Sequence, residues 1–309
     1  MKIVTITLNP AFDVHCFAEN FKPYGESVAE IASVETGGKG VNVSRALKEN
    51  GVKNVAVVLL GTENGGEFLK SLEKDGLTVA PVWTKGRIRE NITLHEKDKP
   101  ETRISFHGFS CCVGVLDEVA AAVGNIDDNS IVAFTGSLPR GVSAADVSAM
   151  LDGFKKHGAK LVIDSRSFTQ KEIVALKPWL VKPNKDEAEK GTGRKINSVM
   201  DAAYAAKELY MQGVENAAIS LGGDGAVLAC LGGVFYAKTP KINALSTIGA
   251  GDSFVAGFIN GAAHGENGEK ALKRAAAYGT AACLREGTLP PTEKDVKNIE
   301  KQIIVERIF

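Results

Sequence analysis

Short apolar runs alternate with amphipathic segments along most of the chain. Runs such as Asn54–Leu60 and Ile131–Phe134 predict buried β-strands, and apolar residues spaced three and four apart, as in Val41–Asn50, predict helices. Repeated strand–helix units of this kind are typical of a parallel sheet covered by helices on both faces. Ligands of such sheets bind beyond the carboxyl ends of the strands. The last third of the chain is predicted to be mostly helical, at about Asp252–Ala263, Glu269–Arg285 and Glu293–Ile303.

Two segments depart from this alternation and are typical of strands with one polar face, Val28–Val34 and Asn91–Phe106. Lys97–Pro100 supplies a turn inside the second segment. We interpret them as a small β-sheet and assign residues 14–36 and 87–108 to it, inserted in a single domain of residues 1–309. Such a sheet is expected to act as a lid over a ligand; the alternative is a surface hairpin without a role in binding.

The composition excludes some classes of protein. The 309 residues include 37 basic and 37 acidic side chains, and this balance argues against a nucleic-acid-binding protein. Charge-free runs such as Ser253–Gly265 are shorter than the ~18–20 residues of a membrane-spanning helix, so no membrane association is expected. The five cysteines lack CxxC spacing, and we expect reduced thiols in a cytoplasmic protein.

The strongest chemical signal is the run Ser246–Phe254, in which Gly249, Ala250 and Gly251 lead directly into an amphipathic helix. The first N–H groups of a helix lack internal partners and the helix dipole adds positive potential, so this turn is suited to hold a phosphoryl group. Asp252 is expected to be held ionised by the dipole and to accept a proton from an attacking hydroxyl. The alternative is an acidic first-turn residue without a catalytic role.

A second glycine-rich turn, Thr36–Val43, also precedes a helix. Gly38 can expose its N–H to a substrate oxygen, Lys39 offers a positive charge to a phosphate, and Asn42 can bind hydroxyls. The run is not a P-loop, because GxxxxGK[ST] occurs nowhere in the chain. Asp13, which follows the first strand, can accept hydrogen bonds from a sugar.

Three further candidates follow predicted strands. In Lys182–Glu187, the oxygens of Asn184 and Glu187 lie three residues apart at a helix start and suit Mg²⁺, often through its waters; an N-cap with an acidic first turn is the alternative. The glycine-rich Ser220–Ala226 can wrap a nucleotide phosphate or form a plain β-turn. Asp164 can support a metal site or cap the end of its strand.

Other chemistries find no motif in the chain. The five histidines are scattered without HExxH or other metal spacing, and no GxSxG elbow occurs. Phe254 occupies the third glycine position of a dinucleotide fingerprint, so the glycine turn before it does not indicate a nicotinamide or flavin cofactor.

Together these runs resemble the phosphofructokinase-B branch of the ribokinase-like carbohydrate kinases. Gly37–Leu47 (GGKGVNVSRAL) resembles the first family signature and Ser246–Ile259 (STIGAGDSFVAGFI) the second, and the resemblance covers essentially the whole chain. It implies a three-layer α/β/α fold with a central, mainly parallel sheet and a small β-sheet lid that often pairs with another subunit. It also implies an enzyme that uses ATP and Mg²⁺.

Within that family, Thr7–Asp13 (TLNPAFD) and Thr135–Gly141 (TGSLPRG) resemble the phosphosugar kinases of the 1-phosphofructokinase and tagatose-6-phosphate kinase types. The resemblance implies Asp252 as the base and Gly249, Ala250 and Gly251 as the anion hole. Its further implied residues are Asp13, Gly38, Lys39, Asn42, Arg89, Arg103 and Ser137 for the substrate, Lys182, Asn184, Ser220, Gly222, Gly223, Gly225 and Gly251 for ATP, and Asn184 and Glu187 for Mg²⁺, directly or through water. The chain departs from the family pattern at Val28, Ala29, Glu90 and Arg140.

We therefore expect ATP-dependent phosphorylation of a hydroxyl of a phosphorylated ketohexose. A kinase of the same fold acting on an unphosphorylated sugar or nucleoside is one alternative, and a non-catalytic nucleotide- or sugar-binding regulator is another. The sequence leaves open which ketohexose phosphate is used, whether K⁺ activates the enzyme, and whether the lid joins two subunits into a homodimer.

Overall fold

The computed structural model of the protein describes residues 1–309 and contains two β-sheets. The strands are β1 (Lys2–Thr7), β2 (Ala11–Phe17), β3 (Glu30–Gly37), β4 (Val55–Gly61), β5 (Val79–Thr84), β6 (Arg89–His95), β7 (Thr102–Ile104), β8 (Ser130–Thr135), β9 (Lys160–Asp164), β10 (Leu180–Val181), β11 (Asn216–Ser220), β12 (Ala226–Cys230), β13 (Gly233–Lys238) and β14 (Ile304–Arg307). The helices are α1 (Lys39–Glu49), α2 (Gly65–Lys74), α3 (Val115–Val123), α4 (Ala144–Lys156), α5 (Gln170–Ala175), α6 (Lys185–Thr192), α7 (Val199–Met211), α8 (Ala250–Ala263), α9 (Gly268–Ala282) and α10 (Glu293–Glu300).

Ten strands form the large sheet, in the order β14-β13-β12-β11-β10-β9-β8-β1-β4-β5. Every neighbouring pair from β11 to β5 is parallel, whereas β12, β13 and β14 pair antiparallel. Consecutive residues of a strand point to opposite faces, so Val4 belongs to one buried cluster and Ile3 to the other. Helices α2, α3 and α4 pack on the first face, and α1, α8, α9 and α10 contribute to the second. The predicted α/β fold is confirmed.

The second sheet has four strands in the order β3-β2-β6-β7 and is called the small sheet below. Strand β2 pairs antiparallel with β3 and parallel with β6, and β6 pairs antiparallel with β7. A small second sheet was expected, but the strand predicted at Val28–Val34 lies later, at Glu30–Gly37, and the pattern did not single out Ala11–Phe17 as a strand. The chain passes from β3 almost directly into α1, so the small sheet is tied closely to the main body.

The last helix is shorter than the sequence predicted. Helix α10 ends at Glu300 and not at the predicted Ile303, and Ile304–Arg307, for which the sequence predicted no element, forms the edge strand β14. Most side chains of β14 are exposed, so no buried apolar pattern marks it as a strand. The longest helix, α9, has 15 residues, and none of the helices combines the length and apolarity needed to traverse a bilayer.

Candidate active site

A cavity of about 840 Å³ opens where the carboxyl ends of the parallel strands face the small sheet. The residues that the family resemblance implied for catalysis, substrate, ATP and Mg²⁺ all lie on its wall. Asp13, Arg89 and Arg103 come from the small sheet, whereas Asn184 and Ser220 lie at the ends of β10 and β11. The structure thus gathers residues that are up to about 240 positions apart into one cavity, and the substrate candidates come from the small sheet, the start of α1 and the end of β8.

The N-terminus of α8 opens into this cavity. Gly249 precedes the helix with a φ of 76°, a left-handed conformation that glycine adopts without strain. The N–H groups of Gly249, Gly251 and Asp252 donate to no acceptor in the protein, whereas the N–H of Ser253 donates to the Gly249 carbonyl at 2.8 Å. Free donors at the positive end of a helix dipole can bind an anion.

Asp252, in the first turn of α8, is only 6% exposed. Its Oδ2 accepts a hydrogen bond of 2.8 Å from Nδ2 of Asn42, in the first turn of α1. Burial raises the pKa of the Asp252 carboxyl to about 6, against the opposing effects of Lys39 and Asn42. The sequence-based expectation that the helix dipole holds Asp252 ionised is therefore incomplete, because the removal of water from the carboxylate raises its pKa. A carboxylate with this pKa is mostly ionised at pH 7 and is a better proton acceptor than an ordinary aspartate.

Asp164, the last residue of β9, pairs with two lysines of the cavity. Its Oδ2 lies 3.0 Å from Nζ of Lys39 and 3.8 Å from Nζ of Lys182. Burial acts to lower the pKa of Lys39, but the carboxylates of Asp164 and Asp252 outweigh it and raise the pKa. The sequence left Asp164 as a metal support or a strand cap, and the structure instead makes it the anion that holds both ammonium groups near Asp252.

Asn184 and Glu187 begin helix α6 as a reciprocal capping box. Oδ1 of Asn184 accepts from the N–H of Glu187, and Oε2 of Glu187 accepts from the N–H of Asn184, each at 2.9 Å. The N-cap arrangement that the sequence left as an alternative is therefore present. Nowhere in the protein do three His, Cys, Asp or Glu side chains gather as a metal site. The oxygens here fit Mg²⁺ that takes most of its ligands from water and phosphate.

The small sheet contributes an anchored carboxylate. Oδ1 of Asp13, on β2, accepts a hydrogen bond of 3.0 Å from Nδ2 of Asn91, on β6. Gly37 approaches the same carboxylate so closely that a Cβ at this position would collide with Oδ2. The position of Asp13 at the cavity wall is thus set by both neighbouring strands.

Arg89 is also fixed by hydrogen bonds within the protein. Its guanidinium donates to the carbonyl oxygens of Phe106 at 3.1 Å and Asn9 at 3.2 Å. Burial lowers the pKa of Arg89, and the Asp13 carboxylate opposes this effect. The side chain of Asn9 donates to Oγ of Ser137 at 3.1 Å, so Asn9 links two predicted substrate residues. Arg103, on β7, lies on the wall and is exposed.

Sequence reasoning missed several polar residues of this wall. Asn9 and Asn91 follow or lie within strands of the site, and Arg166 stands two residues after β9. The usable signal was positional, since polar residues that directly follow strands of a parallel sheet lie at its ligand-binding edge. Arg166 fits that rule, but no glycine-rich motif accompanies it.

Residues 4–295 match the family model described as pfkB family carbohydrate kinase. The protein belongs to the pfkB family. It is therefore an ATP-dependent sugar kinase, and the resemblance in its two glycine-rich motifs is confirmed.

Relatives of this pfkB kinase match nearly its whole length. The 1-phosphofructokinase of Escherichia coli strain K12 is 32% identical over 282 residues, which cover 91% of this chain and 90% of that protein. The 1-phosphofructokinase of Bacillus subtilis strain 168 is 31% identical over 99% of this chain and 100% of its own length. Phosphofructokinase-2 from Escherichia coli, solved in complex with fructose-6-phosphate, has a TM-score of 0.90 at 26% identity and covers 97% of this chain and 98% of its own. That enzyme is also solved with potassium and in a tetrameric inhibited form.

Proposed function

We propose that this pfkB kinase transfers the γ-phosphoryl group of ATP to a free hydroxymethyl group of a ketohexose phosphate, with fructose 1-phosphate as the preferred acceptor. The names of the Escherichia coli and Bacillus subtilis relatives support a 1-phosphofructokinase. The fructose-6-phosphate complex of the structural neighbour supports a phosphorylated ketohexose as the substrate class.

One arrangement carries the proposal: a buried carboxylate with a pKa of about 6 lies beside unpaired helix N–H groups in a single cavity. The acceptor hydroxyl would give its proton to Asp252 and attack the γ-phosphorus. The free N–H groups of Gly249 and Gly251 would bind the phosphoryl oxygens. Phosphoryl transfer depends mainly on positioning and electrostatic stabilisation, and this turn can supply both.

We assign ATP to the part of the cavity lined by Lys182, Asn184 and the glycine-rich loop 222–225. When bound, Mg²⁺ would neutralise charge on the phosphates, and Asn184 and Glu187 would hold it directly or through its water ligands. The ammonium of Lys182 lies close to the backbone of Gly251, so it would meet a phosphate bound at the α8 turn. The potassium complex of the structural neighbour makes K⁺ a candidate activator.

We assign the sugar phosphate to the end of the cavity that the small sheet covers. Asp13 would accept hydrogen bonds from sugar hydroxyls, and Arg89 and Arg103 bring positive charge for the substrate phosphate. Hydrogen bonds from Arg89 to two backbone carbonyl oxygens hold its guanidinium in place before a phosphate binds.

We also propose that the small sheet serves as a lid and pairs with a second copy of the chain. Large apolar side chains around it are exposed, namely Phe17, Tyr24, Val28, Ile31, Val34, Ile104 and Phe106. A patch of this kind favours a protein partner. The tetrameric form of the structural neighbour supports association between copies.

The test is ADP release measured with fructose 1-phosphate, fructose 6-phosphate, tagatose 6-phosphate and unphosphorylated fructose. Fructose 1-phosphate should give the highest kcat/KM, and Asp252→Asn should lower kcat by roughly 10²–10⁴-fold while nucleotide binding is kept. A preference for fructose would favour the kinase of an unphosphorylated sugar. Absence of ADP release with every acceptor, in protein that binds nucleotide, would favour the non-catalytic regulator.

A further inference from the structure

Arg166 is a cation of the cavity wall for which the proposed reaction has no role. It follows Asp164 by two positions, and its side chain is 73% exposed. Its one hydrogen bond runs from Nε to Oε1 of Glu187, at 2.5 Å. The two terminal nitrogens of the guanidinium, which carry four of its five N–H donors, make no hydrogen bond within the protein.

The backbone on either side of Arg166 is held in place. The N–H of Ser167 donates to Oγ of Ser165, and the N–H of Leu138 donates to Oγ of Ser167, each at 3.2 Å. The long side chain therefore extends from a fixed point, and its guanidinium can move by rotamer changes alone.

The pairing with Glu187 is easily exchanged. The Glu187 side chain is only 21% exposed, but Arg166 is 73% exposed, so water screens the attraction at the arginine end and the long side chain loses freedom in the pair. A phosphate group offers the planar guanidinium two parallel charge-assisted hydrogen bonds, which are stronger and more directional. Arg166 therefore loses little by leaving Glu187 and gains more from a phosphate.

The charges around Glu187 indicate what would release Arg166. The carboxylate of Asp164 is paired with the ammonium groups of Lys39 and Lys182. Arg166 pairs instead with the carboxylate of Glu187. Both oxygens of Glu187 accept hydrogen bonds, Oε1 from Nε of Arg166 and Oε2 from the N–H of Asn184. A divalent cation that arrives with ATP would compete with Arg166 for this carboxylate.

We propose that Arg166 is a nucleotide-binding residue that leaves Glu187 for the phosphate oxygens of ATP when Mg²⁺ occupies the Glu187 side of the cavity. This inference rests on the proposed function, because it requires ATP phosphates at this end. It also assigns a second role to Glu187, which forms an ion pair with Arg166 while no nucleotide is bound.

The experiment compares Arg166→Met with the matched control Arg194→Met. Arg194 is 74% exposed, pairs with Glu208 at 3.7 Å and lies outside the cavity. Calorimetry with a non-hydrolysable ATP analogue and Mg²⁺, without sugar, should show affinity at least about tenfold weaker for Arg166→Met and unchanged for Arg194→Met. The affinity for fructose 1-phosphate should be the same in all three proteins.

The release step has its own test, in Mg²⁺-free solution. Glu187→Gln keeps a side chain suited to the capping box but removes the charge that holds Arg166, so the analogue should bind more tightly than to the wild type. The gain should vanish in the double variant Arg166→Met/Glu187→Gln. If the gain in affinity for the analogue persists in the double variant, it does not depend on Arg166, and the proposed release of Arg166 from Glu187 is overturned.

Two results of the calorimetry would overturn the inference as a whole. Equal Mg²⁺–nucleotide affinity in the wild type and in Arg166→Met would leave Arg166 as a surface ion pair. Weakened fructose 1-phosphate binding with unchanged nucleotide binding would assign Arg166 to the other ligand. A wild-type protein that binds no nucleotide would instead refute the proposed function itself, so the two failures are distinguishable.

Discussion

Nδ2 of Asn42 donates a hydrogen bond of 2.8 Å to Oδ2 of Asp252, which joins the first turns of α1 and α8 across 210 positions of sequence. This donor stabilises the charged carboxylate and so opposes the burial that raises the pKa of Asp252 to about 6. Oδ1 of Asn42 is buried without a partner. The same side chain can therefore accept a hydrogen bond from the acceptor alcohol while it steadies the base.

Replacing Asn42 by Ala should move the acidic limb of the pH profile to higher pH. Without the donated hydrogen bond, the pKa of Asp252 should rise further above its value of about 6 in the wild type. The measurement is kcat/KM for the sugar phosphate as a function of pH in both proteins. Titration of the substrate phosphate is common to both profiles, so a difference between them belongs to the protein. Coincident limbs would mean that a group other than Asp252 sets the limb.

Asp252→Asn should stabilise the protein at neutral and alkaline pH. The folded-state pKa of about 6 lies above the ordinary aspartate value of 3.8, so the proton on Asp252 favours the folded state, and that contribution is lost as pH rises through 6. At one pKa unit per 1.36 kcal/mol, the ionised group costs up to about 3 kcal/mol in free energy of unfolding. Urea unfolding should show the variant more stable than the wild type at about pH 8, with the difference shrinking toward about pH 4. A constant difference would show that the two forms differ for reasons unrelated to ionisation.

Gly251→Ala should impair phosphoryl transfer without harming the fold. Gly251 lies in the first turn of α8, where Ala is favoured, but its Cβ would lie 3.2 Å from Nζ of Lys182, in the space assigned to the phosphate. We expect kcat/KM for ATP to fall by about tenfold or more, with the free energy of unfolding within about 1 kcal/mol of the wild type. Gly66→Ala, in α2, is the control, since its Cβ would meet nothing within 4 Å. Equal activity of the two variants would contradict the assignment of the phosphoryl group to the turn before α8.

Ile31→Lys should weaken association between copies of the chain. Ile31, on β3 of the small sheet, is 67% exposed, and a lysine there would have to be desolvated in an apolar interface. Light scattering coupled to size-exclusion chromatography should show a lower mass for this variant than for the wild type at the same concentration. Met211→Lys, at a comparably exposed position on α7, should leave the mass unchanged. A monomeric wild type would contradict the proposed dimer directly.

The features that could be predicted from the sequence are those that short segments determine. Gly249 and Asp252 are three residues apart, so a turn, a helix start and an acidic group could be inferred together from one run. The buried strands followed likewise from uninterrupted apolar runs such as Asn54–Leu60. Strand β14 has mostly exposed side chains and forms by pairing with the edge of β13. No local pattern of apolar residues predicts that pairing.

The electrostatics of the site depend on contacts between distant segments and could not be predicted. Asp164 and Lys39 are 125 positions apart, and either could have been read as an isolated charge. The raised pKa of Asp252 comes first from burial, which depends on how α1, α8 and the ends of the strands pack. The position of Arg166 beside Glu187 likewise requires the folded edge of the sheet.

Strand β3 ends at Gly37 and helix α1 begins at Lys39, so Gly38 alone separates the small sheet from the helix that carries Lys39 and Asn42. Gly38 has a φ of 138°, and a Cβ there would lie 2.8 Å from the side chain of Thr7. The connection between β3 and α1 is therefore short and closely packed. A displacement of the small sheet at this connection would therefore act on the helix whose Asn42 amide donates to Asp252. We therefore expect a sugar bound at the small-sheet end of the cavity to influence, through Gly38 and α1, how Asn42 orients the proposed base Asp252.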